Sequence, residues 1–371
     1  MTYWNKFGGL SMPRNVTSYD VAKLAGVSQA TVSYVLSGNT KQSISEETRE
    51  KIMAAAQQLG YYPNSAAKSL RRRKNMCVSV MVNKQLELPR YAGVVQGLRE
   101  VLERHGYSVL LCGEGHEDEK YPKYICDFLE KRVDGIIYIG ADGMIPEESA
   151  REAVQTNSIP FVAYDCRILE ETVATVDVDY AHGIREAMRA LVKDGCTRLF
   201  YVYPDTGIPQ ESERLDAFHE WCRAHGVEGV SCPVAMRSYL SESKKIMELK
   251  EHLPSVYLSP QKREQTMQEW SAVAQHLNKC GRTTGVIFAW AWMMNLGLAV
   301  LMQKEDKPPL AVLTGEGAGD MAYQFYDEQI YYSEFPNEES GAACARSILR
   351  QLTEKGYTEK IILRPRLKAI R

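Results

Sequence analysis

The stretch TSYDVAKLAGVSQATVSYVL (17–36) constrains this chain more than any other. Thr17 stands three residues before Asp20, the spacing at which a helix cap and its third residue satisfy each other's backbone N–H groups. Val21, Leu24 and Ala25 then fall on one face of a short helix. Gly26 permits a sharp turn, Val27 fills the corner, and Ser28 caps a second helix with Val32, Val35 and Leu36 on its inner face. Ser45 opens a third helix, with Glu46 and Glu47 at the positive end of its dipole; Ile52, Ala55, Ala56 and Leu59 face inward and Gly60 ends it. Three short helices around a tight first corner predict a helix-turn-helix. That geometry leaves Gln29, Ala30, Thr31, Ser33 and Tyr34 on the outer face of the second helix, short or hydrogen-bonding side chains of the kind that read base edges in a major groove. A merely solvated polar face is the plain alternative.

Charge bears on that choice. Residues 1–75 carry 11 Lys and Arg against 4 Asp and Glu, while the rest of the chain carries 34 against 43. A basic front on an acidic body points to a polyanion partner. The segment YYPNSAAKSLRRRKN (61–75) continues the theme. Pro63 breaks the chain, Asn64 or Ser65 can cap one or two turns to about Leu70, and Arg71 to Lys74 would meet phosphate. Leu70 has no core of its own nearby and suits a wedge between base steps in a minor groove. A flexible basic linker is the alternative here.

The remaining 296 residues are ample for further buried cores in a chain of 371. Nine cysteines, never in CxxC spacing, argue against a disulfide framework or a zinc site and read as reduced thiols in a cytoplasmic protein. The N-terminus has no apolar run of signal-peptide length. Residues 1–15 read as an N-terminal extension whose first eleven residues are expected not to belong to the native protein, with translation starting at Met12. The uncharged run GVIFAWAWMMNLGLAVLM (285–302) approaches membrane-span length, but Gly285, Asn295 and Gly297 interrupt it. It reads better as a buried strand (Val286 to Trp290) feeding a buried helix (Trp292 to Met302).

From Cys77 onward, apolar β-rich runs alternate with helical stretches. VSVMV (78–82) precedes a helix near Arg90 to His105, SVLLCG (108–113) one near Glu119 to Lys131, and DGIIYIG (134–140) one near Glu147 to Gln155, before IPFVAYD (159–165). After VDVDYAHG (176–183) the pattern repeats: a helix near Ile184 to Lys193, RLFYVYP (198–204), a helix near Glu211 to Ala224, GVIFAW (285–290) with its helix, and PLAVLT (309–314). This βα succession predicts an α/β body of two lobes with parallel, doubly wound sheets, and a ligand cleft at the carboxyl ends of the strands. Residues 237–281 exceed the pattern and add two helical stretches, SESKKIMELKEHL and KREQTMQEWSAVAQHLNKC.

Residues 16–75, through VTSYDVAKLAGVSQATVSYVL, SEETREKIMAAAQQLGYYPN and AAKSL, resemble the DNA-binding headpiece and hinge of the lactose/galactose repressor family. The resemblance implies an all-α helix-turn-helix domain (16–62), a hinge helix (63–75), and an effector-binding and dimerisation domain (76–371) like periplasmic binding proteins. It implies a homodimer on a near-palindromic operator, with Thr17, Ser28, Gln29, Ala30, Thr31, Ser33, Tyr34, Asn64, Ala67, Leu70 and Arg71 at the DNA. The family often has Arg where Tyr34 stands, and Tyr cannot make the bidentate contact to guanine. By position, Asp165, Arg214, Asn83 and Tyr91 fall where the family contacts its small-molecule effector. Asp165 could instead cap a turn and Arg214 pair with a carboxylate.

Elsewhere the family's polar groups are replaced by Trp290-Ala291-Trp292, Gly315-Glu316-Gly317 and Phe335. Buried polar groups left unpaired cost about 1–3 kcal/mol each, so a plain monosaccharide is not expected. Two readings stay open: a flatter, more apolar effector stacked on Trp292 and Phe335, or a cleft that no longer takes a small molecule. An exported solute-binding receptor would share the body but has no use for residues 16–75. No GxxxxGK[ST], HExxH or GxSxG motif occurs, and His182, His219 and His225 are isolated, so neither an enzyme nor a cofactor or metal site is expected.

Overall fold

In the computed structural model, two six-stranded sheets with the same strand order organise the chain from Cys77 onward. The structure describes residues 16–36, 43–62, 74–82, 86, 89–113, 120–140, 144–168, 170–235, 260–314 and 326–370. Among the residues singled out from the sequence, Asn64, Ala67, Leu70, Arg71, Asn83 and Gly315 to Gly317 lie outside these ranges, as does SESKKIMELKEHL. The chain divides into two compact units, Met1–Asn75 and Met76–Arg371.

In the first unit, helices α1 (Ser18–Ala25), α2 (Gln29–Leu36) and α3 (Glu46–Leu59) start where their caps predict. Thr17 and Asp20 form the reciprocal capping box, and Ser45 accepts from the Thr48 N–H. Gly26 and Gly60 close α1 and α3 in the left-handed conformation, at φ 67° and 62°, which a residue without a Cβ adopts at little cost. Val21, Ala22, Val32, Val35, Ile52, Ala55 and Ala56 form the core, with Val27, Leu36 and Leu59 packed against it. One expected core residue is misplaced. Leu24 is 47% exposed, and Ala22 takes its place. The buried stripe runs through Val21, Ala25 and Ala22, which at about 100° per residue leaves Leu24 beyond its edge.

The second unit begins with β1 (Cys77–Val82), α4 (Pro89–Arg104), β2 (Ser108–Cys112), α5 (Lys123–Leu129), β3 (Gly135–Ile139), α6 (Glu148–Thr156), β4 (Phe161–Tyr164) and β5 (Ala174–Val178). Then follow α7 (Tyr180–Lys193), β6 (Arg198–Asp205), α8 (Pro209–His225), β7 (Glu228–Ala235), α9 (Pro260–Leu277), β8 (Thr284–Phe288), α10 (Ala291–Leu301) and β9 (Leu310–Val312). The chain ends with β10 (Ile330–Glu334), α11 (Asn337–Gln351), β11 (Lys360–Leu363) and β12 (Arg366–Ile370). The sheet orders are β11-β5-β4-β3-β1-β2 and β12-β10-β9-β8-β6-β7. Among the described residues all pairings are parallel except β10 with β12, an antiparallel edge that the repeating pattern did not foretell.

Both orders reverse beside the first strand of their lobe, between β1 and β3 and between β6 and β8, the place where such sheets open a crevice at their carboxyl ends. The chain crosses between lobes three times, after β5, after β10 and after β11. Helix α11 returns to the first lobe and crosses α4 with almost no gap: a Cβ on Gly97 would lie 1.9 Å from the Glu338 carbonyl oxygen, and one on Gly341 1.9 Å from that of Val94. The uncharged run at 285–302 is the fully buried β8 followed by α10, and among the described residues no helix is long and apolar enough to cross a membrane.

Two helix boundaries differ most from expectation. The helix expected from Glu119 is the shorter α5, ending at Leu129. The helix expected from Ile184 starts at Tyr180, because Asp179 accepts from the His182 N–H and caps it there. In the extra segment, α9 buries Trp270, Val273 and Leu277 in the second-lobe core.

Candidate nucleic-acid interface and interlobe cleft

The outer face of α2 is built on satisfied caps. The Thr17 hydroxyl donates to Asp20 Oδ2 at 2.7 Å, and Ser28 Oγ accepts from the Thr31 N–H at 3.1 Å while sharing a hydrogen with the Thr31 hydroxyl at 2.8 Å. Thr17, Ser28 and Thr31 therefore hold the two helix starts in shape. Gln29 and Ala30 are exposed beside them, and Ser33 and Tyr34 half-buried. Gln29 Nε2 donates to Ser18 Oγ at 2.7 Å, tying the first residue of α2 to the first of α1.

The cleft is organised differently. Asp165, directly after β4, has φ 57° and a fully buried side chain. Its Oδ2 accepts from Arg90 Nη2 at 2.5 Å and from the Tyr180 hydroxyl at 2.8 Å, so it serves a side-chain cluster and not a turn. The Tyr180 hydroxyl accepts in turn from Arg90 Nη2, also at 2.5 Å. Burial pushes the Asp165 carboxyl up from its ordinary range, and the Arg90 guanidinium opposes that push. Burial raises the Tyr180 phenol well above its ordinary value. Asp165 Oδ1 and Arg90 Nε are buried without a hydrogen-bond partner.

Aromatic rings enclose these charges. The Arg90 guanidinium lies 5.8 Å from the Tyr91 ring and 5.3 Å from that of Phe335, and Phe335 tilts against Tyr180 at 5.7 Å. On the other lobe Arg214 is buried, ion-paired with Glu211, and sits 4.7 Å over the Tyr180 ring. Trp290 Nε1 donates to Glu211 Oε1 at 2.9 Å and Trp292 meets the Trp290 ring edge-on at 6.2 Å.

Two residue pairs join the lobes directly. Arg167, between β4 and β5, donates to both Glu213 oxygens on α8 at 2.6 and 2.7 Å, a bidentate pair. Gln210 Nε2 on α8 donates to the Asp165 carbonyl oxygen at 3.3 Å.

The structure thus gathers Tyr91, Asp165 and Phe335 around Arg90, and Arg214 against Tyr180. Trp292 lies with the second-lobe residues. Sequence reasoning missed Arg90, Arg167, Tyr180, Glu211, Glu213 and Gln210. Arg90 adjoins Tyr91, Glu211 and Glu213 flank Arg214's turn of helix, and an inventory of charges in the first turns of the helices that follow β1 and β6 would have raised them. Their mutual pairing had no sequence signal.

A capped helix-turn-helix ahead of a two-lobed α/β domain defines the class: a DNA-binding transcriptional regulator with an effector-binding domain. Residues 17–64 match the family described as bacterial regulatory proteins, lacI family, and residues 77–260 match periplasmic binding proteins and sugar binding domain of LacI family. Catabolite control protein A of Staphylococcus aureus (strain N315) is 28% identical over 246 residues, covering 66% of this chain and 73% of that protein. The fold is also that of a lac repressor dimer bound to operator and the anti-inducer ONPF, with TM-score 0.65, 17% identity and coverage of 96% and 98% of the two chains. A LacI family regulator from Silicibacter pomeroyi matches with TM-score 0.62, 21% identity and coverage of 95% and 98%. The chain belongs to the lacI family of bacterial regulatory proteins.

Proposed function

We propose that the protein is a cytoplasmic repressor that binds a near-palindromic operator as a homodimer, with its affinity set by a small molecule held between the lobes. The observation that carries this reading is the polar outer face of α2, presented on a corner whose helix starts are already capped. Gln29, Ala30, Ser33 and Tyr34 read the major groove; Thr17, Ser28 and Thr31 keep that face in register beside phosphate. Asn64, Ala67, Leu70 and Arg71 serve the minor groove and backbone at the centre of the site. A change in lobe angle moves the paired hinges, coupling effector to operator by about 1–3 kcal/mol.

A second reading concerns the cleft alone. The mutual pairing of Arg90, Asp165 and Tyr180, and of Arg214 with Glu211, favours a cleft filled by its own side chains. A sugar hydroxyl would have to displace a buried ion pair, and an uncompensated buried charge costs several kcal/mol. Selection of bound sequences from random duplexes at stated salt tests the first reading: a recovered palindrome is expected, and equal binding to scrambled competitor overturns it. Calorimetric titration with hexoses and metabolite pools tests the second, which saturable binding of a plain hexose overturns.

A further inference from the structure

The bond between Gln29 and Ser18 is not needed to hold the corner together. Val21, Val32 and Ile52, all fully buried, already join the three helices, and Thr17 and Ser28 already cap α1 and α2. What the bond does is confine an exposed side chain with three rotatable torsions at the leading end of α2. Its two ends are eleven residues apart in sequence, each at the first position of its helix.

A glutamine amide offers one carbonyl oxygen and two N–H donors. With one N–H given to Ser18 Oγ, Oε1 and the second N–H remain for a partner. An acceptor beside a donor is the pattern that adenine requires in the major groove, where N6 donates and N7 accepts. Guanine presents two acceptors there and would oppose Oε1. A side chain already held in place also loses less freedom on docking.

We propose that Ser18 is a positioning residue for base readout, holding the Gln29 amide so that each half-site is read as adenine at the base pair facing it. The inference rests on the operator-binding reading and adds a residue outside the recognition helix to it. The Ser18 hydroxyl takes no base itself; it acts through Gln29.

Selection from random duplexes with the full-length protein, at one fixed salt concentration, tests this with five forms: the parent, Ser18→Ala, Ser18→Thr, Gln29→Ala and the Ser18→Ala/Gln29→Ala pair. The parent should show one symmetric position preferring adenine, and Gln29→Ala should abolish that preference. Ser18→Ala should reduce adenine over guanine there by about fivefold or more, the lower range for a bidentate contact, while other positions and binding to nonspecific DNA stay unchanged. Ser18→Thr should keep the preference, and Ser18→Ala should add nothing when Gln29 is already Ala. A Ser18→Ala form that keeps the adenine preference, or that weakens all sequences equally, overturns the inference. A palindrome with no Gln29-dependent adenine overturns it while leaving the operator reading intact; no palindrome at all removes both.

Discussion

The outer face of α2 and the interlobe cleft are both polar and both lie where a ligand is expected, yet they are built on opposite terms. On α2 the capping groups satisfy one another and leave Gln29 and Ala30 turned to solvent. In the cleft the charged groups pair with one another out of solvent, Asp165 and Arg214 being 0% and 2% exposed, and only single atoms such as Asp165 Oδ1 and Arg90 Nε stay unpaired. A surface that must recognise a partner keeps its hydrogen-bonding capacity open. A buried cluster of charges is stable only if they find internal partners, because an unpaired buried charge is far more costly than a paired one.

The sharpest break of that contrast is Arg90→Ala. It strands the buried Asp165 carboxylate, and the second unit should lose about 3–5 kcal/mol in denaturant unfolding. A double change, Arg90→Met with Asp165→Leu, should recover most of this. The loss in Arg90→Ala should shrink as pH falls. A carboxyl whose folded pKa lies above its unfolded value stabilises the fold below the unfolded pKa and loses that contribution as pH rises through the folded one.

Next in size is Gly97→Ala, which drives a methyl into the Glu338 carbonyl and should cost the second unit about 1–3 kcal/mol. The thermal transition of residues 1–75 should stay where it is, which checks that the two regions are stabilised separately.

Thr17→Ala removes the capping box and should lower the stability of the first unit by about 1 kcal/mol, read from its melting transition, without altering the second. The smallest effect is expected from Glu213→Ala. Its pair with Arg167 is part-exposed, so the stability change should stay below about 1 kcal/mol. Small-angle scattering should nonetheless show a larger radius of gyration as the lobes part. An unchanged radius would mean that Gln210 and the cluster around Tyr180 hold the lobes without it.

Cysteine chemistry completes the contrast between open and closed regions. None of the nine thiols is joined in a disulfide, and burial pushes Cys196, Cys222 and Cys280 up to about 11. Native alkylation at pH 8 should reach Cys77, Cys112 and Cys126 before any of these, because only a thiolate attacks.

Much of this was legible in advance. Thr17, Gly26, Ser28, Ser45 and Gly60 marked the helix ends because caps are local: the partner of each lies within one turn of helix. The βα alternation marked the two lobes for a similar reason, since strands buried on both faces are apolar along their whole length. Leu24 escaped because an eight-residue helix carries too few apolar residues to fix the centre of its buried stripe. In the cleft, Asp165, Arg214 and Tyr91 were found by position, but whether they await a ligand or hold one another was not written at any single position.

The sequence by itself determined the class of protein: local capping and hydrophobic periodicity are sufficient for a helix-turn-helix and a pair of doubly wound lobes. Only the tertiary structure decided what the cleft's charges do, because Arg90 and Asp165 are 75 residues apart and Arg167 and Glu213 are 46 apart. Such pairs have no spacing to detect. They exist because folding withdraws each charge from water, and a withdrawn charge is tolerated only beside its complement.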